Sequence, residues 1–491
     1  MATQRYSISL QPTETVVRGA LKSLAPYPAY RAARVGWLGN IPAHWLEKRG
    51  KAFFREVDER SASGDEELLS VSHTTGVTPR SQKNVTMFKA ESYVGHKLAR
   101  PGDIVVNTMW AWMAALGVAK QTGIVSPSYG VYRPLNDQNF NAAFLDYLLR
   151  IPNMKWEYVC RSKGIRTSRL RLYADQFLDT VYPCPPREEQ DRIVSFLRAK
   201  DSDIRRLIRN KRRLIELLIE QKQGIINRLV TYGVNTQAPI KATGIDWMPA
   251  IPAHWEMKRL KTLVRNVTEQ TNSMASDETY IALEHVKSWS GDVAPPGDDI
   301  VFESQVKRFR EGDILFGKLR PYLAKVTRAT QKGVCVGEFL VLRPATNEIL
   351  GEFLEQKLRS RSVIDLINSS VYGAKMPRAE WNFIGNVRFA FPREIDEQRK
   401  IMRFISEETR TLDKAVSRTE REIALINEYR ERLVADVVTG KIDVRDVEIS
   451  ISEDGVLFEG IDNSEDVQEL DQEELTESAE AELMEDADVD D

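Results

Sequence analysis

Cysteine is scarce in this 491-residue chain: Cys160, Cys184 and Cys335 are scattered and odd in number, so neither a disulfide framework nor a Cys-x-x-Cys zinc site is available. They read as reduced structural thiols, and no metal site is expected. Long apolar runs are missing too. No stretch reaches the roughly 18 uninterrupted apolar residues of a membrane helix, and Met1 to Leu10 lacks a charged-then-apolar secretory pattern, so the expectation is a soluble, cytoplasmic chain without membrane contact. Basic residues vanish from one end only. Of 72 acidic groups 19 lie in residues 447–491, and all 69 basic groups precede them, which leaves a net charge of +16 on the first 446 residues. Such a body favours a polyanionic partner, because neutralising phosphates releases counterions. The acidic tail, nearly free of aromatics, is expected to be disordered.

What the chain does have is an internal repeat. Trp37-Leu-Gly-Asn-Ile-Pro-Ala-His-Trp45 returns 210 residues later as Trp247-Met-Pro-Ala-Ile-Pro-Ala-His-Trp255, and Gly102-Asp-Ile104 returns as Gly312-Asp-Ile314. Gly123 with Arg133-Pro134 matches Gly333 with Arg343-Pro344. Near the module ends the offset slips: Gly164-Ile-Arg166 and Arg169 align with Gly373-Ala-Lys375 and Arg378, then Glu189-Gln190 and Phe196 with Glu397-Gln398 and Phe404. A period this long means two whole domains rather than a solenoid of short units.

Each module reads as mixed α and β. Gly-Asp-Ile-Val-Val106 and Gly-Asp-Ile-Leu-Phe316 have the β-branched and aromatic content of strands, whereas Asn141 to Arg150 and Gly351 to Ile367 look helical. A different pattern follows each module. From Glu188 to Thr231 there is no proline, and apolar residues recur at helical spacing, among them Ile204, Ile208, Ile215 and Leu218; Ile395 to Thr439 repeats the stripe with Leu412, Val416, Ile423 and Ile426. Neither helix could bury its stripe alone. The economical solution is an antiparallel coiled-coil pair with these eight residues in its seam, giving an α+β protein with a pseudo-twofold repeat and a module at either end. The boundaries are an N-terminal extension (1–33), a first module (34–186), a central helix (187–232), a polar linker (233–246), a second module (247–393), a C-terminal helix (394–446) and the tail (447–491).

No catalytic constellation survives inspection. Gly312-Asp-Ile-Leu-Phe-Gly-Lys318 resembles a phosphate loop, but Leu319 stands where Ser or Thr would hold magnesium. Asp246, Glu256 and Lys258 have a nuclease-like spacing, yet their counterparts are Gly36, Leu46 and Lys48. No Asn- or Asp-Pro-Pro-aromatic methylation motif is present. His44 and His254 read as packed structural residues beside Trp45 and Trp255, with no nucleophile or acid accompanying both. The basic stretches are the better candidates. Arg161, Lys163, Arg166, Arg169 and Arg171 gather around a Gly-containing loop suited to bidentate contacts with guanine edges or phosphates. Asn107, Trp110 and Trp112 offer an amide for adenine and apolar surface for a thymine methyl. The second module offers Lys318, Arg320, Tyr322, Tyr372, Lys375 and Arg378.

The duplicated Trp-x-x-x-Ile-Pro-x-His-Trp entry, the phrases Gly-Asp-Ile-Val-Val-Asn-Thr-Met-Trp-Ala-Trp112 and Gly-Asp-Ile-Leu-Phe-Gly-Lys-Leu-Arg-Pro-Tyr322, and the ending Val438-Thr-Gly-Lys-Ile-Asp-Val-Arg445 resemble specificity subunits of type I restriction-modification systems over residues 34–446. The resemblance implies two target recognition domains, each reading one half of an asymmetric, interrupted site in double-stranded DNA. The long helices would fix the half-site separation and dock two methyltransferase subunits. It further implies no catalysis and no cofactor on this chain: S-adenosylmethionine, ATP and magnesium would sit on the methyltransferase and the restriction or translocase subunits.

Overall fold

The computed structural model describes residues 25–82, 92–164, 170–294, 305–371 and 377–449. It divides into two compact units. One holds the residues up to Asn210 together with those from Glu422, and the other is Lys211–Arg421.

In the first unit a four-stranded antiparallel sheet runs in the order Phe54–Glu56, Gly130–Pro134, Ile104–Val106, Leu116–Val118. The second unit repeats it as Val264–Val267, Phe339–Pro344, Ile314–Gly317, Val326–Arg328. Register is kept to the residue: Ile104 faces Tyr132, and Ile314 faces Leu342. Both faces of these short strands are buried, which explains why Ile104-Val-Val106 and Ile314-Leu-Phe316 are apolar throughout rather than alternating. A turn with Gly102 at φ +91° or Gly312 at φ +85° opens each strand, a conformation that glycine adopts without the Cβ clash. The next residue is an aspartate. Asp103 accepts from Arg133 Nε and Nη2 at 2.9 and 2.8 Å, and Asp313 from Arg343 at 2.8 and 2.7 Å. Each buried carboxylate is thereby neutralised by a forked pair.

Two short helices follow each sheet where the sequence suggests one. Ala142–Leu149 and Pro152–Arg161 break at Ile151-Pro152, whose proline fits the first turn of a new helix. Gly351–Leu358 and Arg361–Ser369 break at Ser360, whose hydroxyl donates to Lys357 O at 2.6 Å.

The two long helices are Arg187–Tyr232 (46 residues) and Ile395–Val438 (44 residues), about 69 and 66 Å at 1.5 Å per residue. They pair antiparallel within each unit. In the first, Arg430 meets Asp201 at 2.5 Å, and Ile204, Ile208 and Ile426 form a buried cluster with Ile423 and Tyr429 against it. In the second, Lys222 meets Asp413 at 2.5 Å, and Ile226 to Val230 share a core with Ile401 and Ile405. Ile215, Leu218, Leu412 and Val416 are half-buried.

Three segment boundaries differ from the sequence reading. The extension ends as structure: Tyr30–Ala32 pairs with Asn40–Pro42, and Tyr27 is buried. The supposed linker contains Ile240–Ala242, paired with Ala250–Pro252 at the same offset of 210. Tyr-Arg-Ala and Ile-Lys-Ala share only alanine, so these strands escape a search for self-similarity. The tail's first residues are packed as well. Val447 and Ile449 lie against the first unit's core, and Val447 O accepts from Arg192 Nη2; residues 450–491 lie outside the described residues.

Candidate nucleic-acid interface

Each unit fastens its long helix to its module by the same clasp. The Trp45 indole N–H donates to Glu189 at 2.9 Å, His44 Nε2 lies 2.8 Å from that carboxylate, and Tyr27 O–H reaches it at 2.5 Å. In the copy, Trp255 donates to Glu397 at 3.0 Å with His254 3.0 Å away. An acid therefore accompanies both histidines, contrary to the sequence reading, and the histidine side chains stand 41% and 51% exposed rather than packed. Through these contacts each acid fastens the start of a long helix to its module. Glutamine comes next. Gln190 accepts from Asn141 N and donates to Asn139 O and Pro185 O; Gln398 accepts from Leu350 N and donates to Glu348 O and Pro392 O. Both are fully buried with the amide satisfied at both ends. Gln398→Ala strands three backbone groups at roughly 1–3 kcal/mol each, and the expected loss of several kcal/mol is measurable as a fall in the urea midpoint.

The phosphate-loop-like segment is not one. Ile314–Gly317 is a buried strand, followed by a 3-10 turn at Pro321–Leu323. Lys258 is engaged with Glu348 at 2.7 Å. Among the described residues no group of three metal-ligating side chains occurs, and no helix is long and apolar enough to cross a membrane.

The segments that the sequence offers separately for DNA contact come together in each unit. In the first, Lys163 and Arg171 exchange backbone hydrogen bonds of 3.0 and 2.9 Å, and Leu172 N donates to Thr108 O. This sets Lys163 and Arg171 beside the 107–113 turn. Trp110 and Trp112 there are near-parallel, with ring centroids 6.4 Å apart. Two candidates are already committed: Asn107 is buried, with its amide on Tyr129 O–H and Met109 N, and Arg161 is paired to Glu157 at 2.6 Å. Lys163 and Arg171 are exposed. Arg166 and Arg169 lie outside the described residues, as do Tyr372 and Lys375.

In the second unit Arg320 N donates to Pro377 O and Ala379 N to Lys318 O, which brings Lys318, Arg320, Tyr322 and Arg378 to one edge. Arg320 holds φ +50°, a conformation unusual for a residue with a side chain, at an exposed position. The group the sequence did not flag is Glu338. It forks to Arg378 Nε and Nη2 at 3.2 and 3.1 Å, with Lys318 Nζ at 4.0 Å.

Beneath this edge the two units share a pedestal. Lys97 Nζ donates to Tyr129 O at 2.7 Å; its counterpart Lys307 donates to Phe339 O at 2.7 Å and Gly337 O at 3.1 Å. Burial pushes the Lys307 ammonium below the usual lysine range, and the nearby Lys318 charge adds to the effect. On top, the residues differ. Thr108 and Ser128 in the first unit, joined by a hydroxyl donating to Ser128 O at 3.1 Å, become Lys318 and Glu338 in the second.

No protein-family model matches the chain. It is 22% identical over 200 residues to the type I restriction enzyme EcoDI specificity subunit of Escherichia coli, spanning 40% of this chain and 44% of that protein. It is 23% identical over 284 residues to the MjaVIII specificity subunit of Methanocaldococcus jannaschii, spanning 55% and 64%. Its relatives are type I restriction specificity subunits. The matches cover less than two thirds of either relative's length. A chain from a structure on complex assembly and conformational transition of the type I R-M system superposes with a TM-score of 0.51 at 16% identity, over 81% of this chain and 98% of that one. That likeness is one of fold and spans most of this chain.

Proposed function

We propose that this chain is the DNA sequence-specificity subunit of a type I restriction-modification complex, a non-catalytic reader whose two modules each take one half of an asymmetric, interrupted site. The observation that carries the reading is the doubled scaffold with exchanged tips: the strand register, the Asp–Arg forks and the lysine pedestals are repeated, while the residues on the presented edge are not. Equal frames with unequal tips suit recognition of two different sequences. The long helices set the distance between half-sites and dock two methyltransferase subunits, which carry S-adenosylmethionine for adenine methylation; restriction subunits bring ATP and magnesium.

Methylome sequencing after exchange of residues 34–186 for another recognition module tests this. One half-site is expected to change and the other to persist, and a change at both ends overturns independent reading. A four-residue insertion within 204–230, matched in the paired stretch of the C-terminal helix, lengthens the bar by about 6 Å, against about 3.4 Å per base pair. The methylated motif is then expected to gain at least one spacer base pair.

A further inference from the structure

We infer that Arg378 reads a guanine in the half-site of the second module, and that Glu338 is the positioning residue that aims it. The inference rests on the DNA-reading function above and names the chemistry of one tip.

A guanidinium can recognise guanine end-on, through two parallel N–H groups directed at O6 and N7. That requires the plane of the fork to be fixed and its outer edge left open. Glu338 does the first by taking the inner edge: its two oxygens lie 3.2 and 3.1 Å from Nε and Nη2. Nη1 and the outer hydrogen of Nη2 have no partner among the described residues, and the Arg378 side chain is 53% exposed. The carboxylate is itself held from below. Lys307 Nζ grips the carbonyls of Gly337 and Phe339 on either side of it, and Lys318 N donates to Glu338 O at 2.9 Å. Phe339 is fully buried. The Arg378 guanidinium is therefore held against a carboxylate on a braced turn rather than left free, which lowers the ordering cost of binding.

The first unit supplies the comparison. It keeps the lysine pedestal but carries Ser128 where the second has Glu338, and Ser128 shares a hydrogen bond of 2.8 Å with Ser126. Position 128 thus offers no carboxylate of its own to hold a guanidinium. The two modules should thus differ in whether they demand guanine at this place.

The test uses the full chain reconstituted with methyltransferase subunits, with binding to duplexes substituted one position at a time across the site. The unmodified complex is expected to require guanine at one position in the second module's half-site. Arg378→Ala should lower discrimination there by on the order of 10- to 100-fold. Arg378→Lys, which keeps the charge but loses the fork, should do nearly the same. Glu338→Gln should give a smaller loss at that base alone. The half-site of the first module serves as the internal measure of folding and assembly and should be unchanged in all three.

A second half-site without guanine overturns the inference, as does wild-type selectivity in Arg378→Lys. So does a uniform loss of affinity across all sequences with a shallower salt dependence, which marks a phosphate contact. Those outcomes leave the parent reading standing as long as the unmodified complex still selects a bipartite site. An unmodified complex without sequence preference overturns both.

Discussion

Trp255→Ala is expected to destabilise the second unit by about 3–5 kcal/mol, the usual cost of emptying a buried tryptophan site, and Trp45→Ala to do the same in the first. Trp255 is 1% exposed and packs edge-on against Phe353 with centroids 6.2 Å apart. Its indole N–H also donates to Glu397 beside His254, so the truncation removes packing and a carboxylate partner together. Trp255→Phe separates the two effects. It restores most of the apolar volume and leaves Glu397 to His254, so its expected cost is about 1–3 kcal/mol, the price of an unmatched polar group. Chemical denaturation followed by circular dichroism measures both. Equal losses in the two variants would show that the hydrogen bond, rather than the volume, holds the clasp.

Stability of the second unit should rise with pH between about 7 and 9. Lys357 is completely buried, and its ammonium donates to Val230 O at 2.7 Å near the end of the central helix, with no acidic partner among the described residues. Desolvation pushes its pKa down to about 7 from the ordinary 10.5. The sign follows from proton counting. Above pH 7 the folded state sheds a proton that the unfolded state keeps up to about 10.5, so raising the pH favours folding by up to about 1.4 kcal/mol per unit; below 7 both states hold it and the dependence vanishes. Above pH 9 the buried Cys335 opposes this trend, because burial raises its thiol to about 12 and only the unfolded state ionises. The urea midpoint should therefore climb from pH 7 to 9 and flatten beyond. Lys357→Met should abolish the climb, and a climb that persisted in this variant would assign it to another group.

The repeat, the two long helices and the strands opened by Gly-Asp-Ile were legible because each rests on local pattern: spacing, turn residues and apolar runs. The helix break at Ser360 is not legible, since Gly351 to Ile367 reads as one helix while the break depends on a side chain returning to the backbone; the first helix ends close to Arg150 as read, but Pro152–Arg161 beyond Ile151 is missed. Glu189 and Glu397 were visible as matching letters but not as clasps, because their partners lie 144 and 142 residues away. The candidate interface was legible as a basic neighbourhood, not as a set of contacts. Asn107 and Arg161 look available in sequence and are spoken for in three dimensions by Tyr129 and Glu157. Glu338 was missed for the opposite reason. Comparing the copies highlights what is the same, and here the informative residue is the one that differs.

The first unit is assembled from both ends of its polypeptide. Its core joins Trp45, Phe196 and Leu197 to Leu433, Val437 and Val444, whereas the second unit is one continuous stretch. On a ribosome the later-made half can close first. The earlier module, though synthesised long before, must wait for some 240 further residues, on the order of 12–50 s at roughly 5–20 residues per second, with an indole and several aliphatic side chains still wet. Chaperone dependence during synthesis should therefore fall mainly on the front half of the protein.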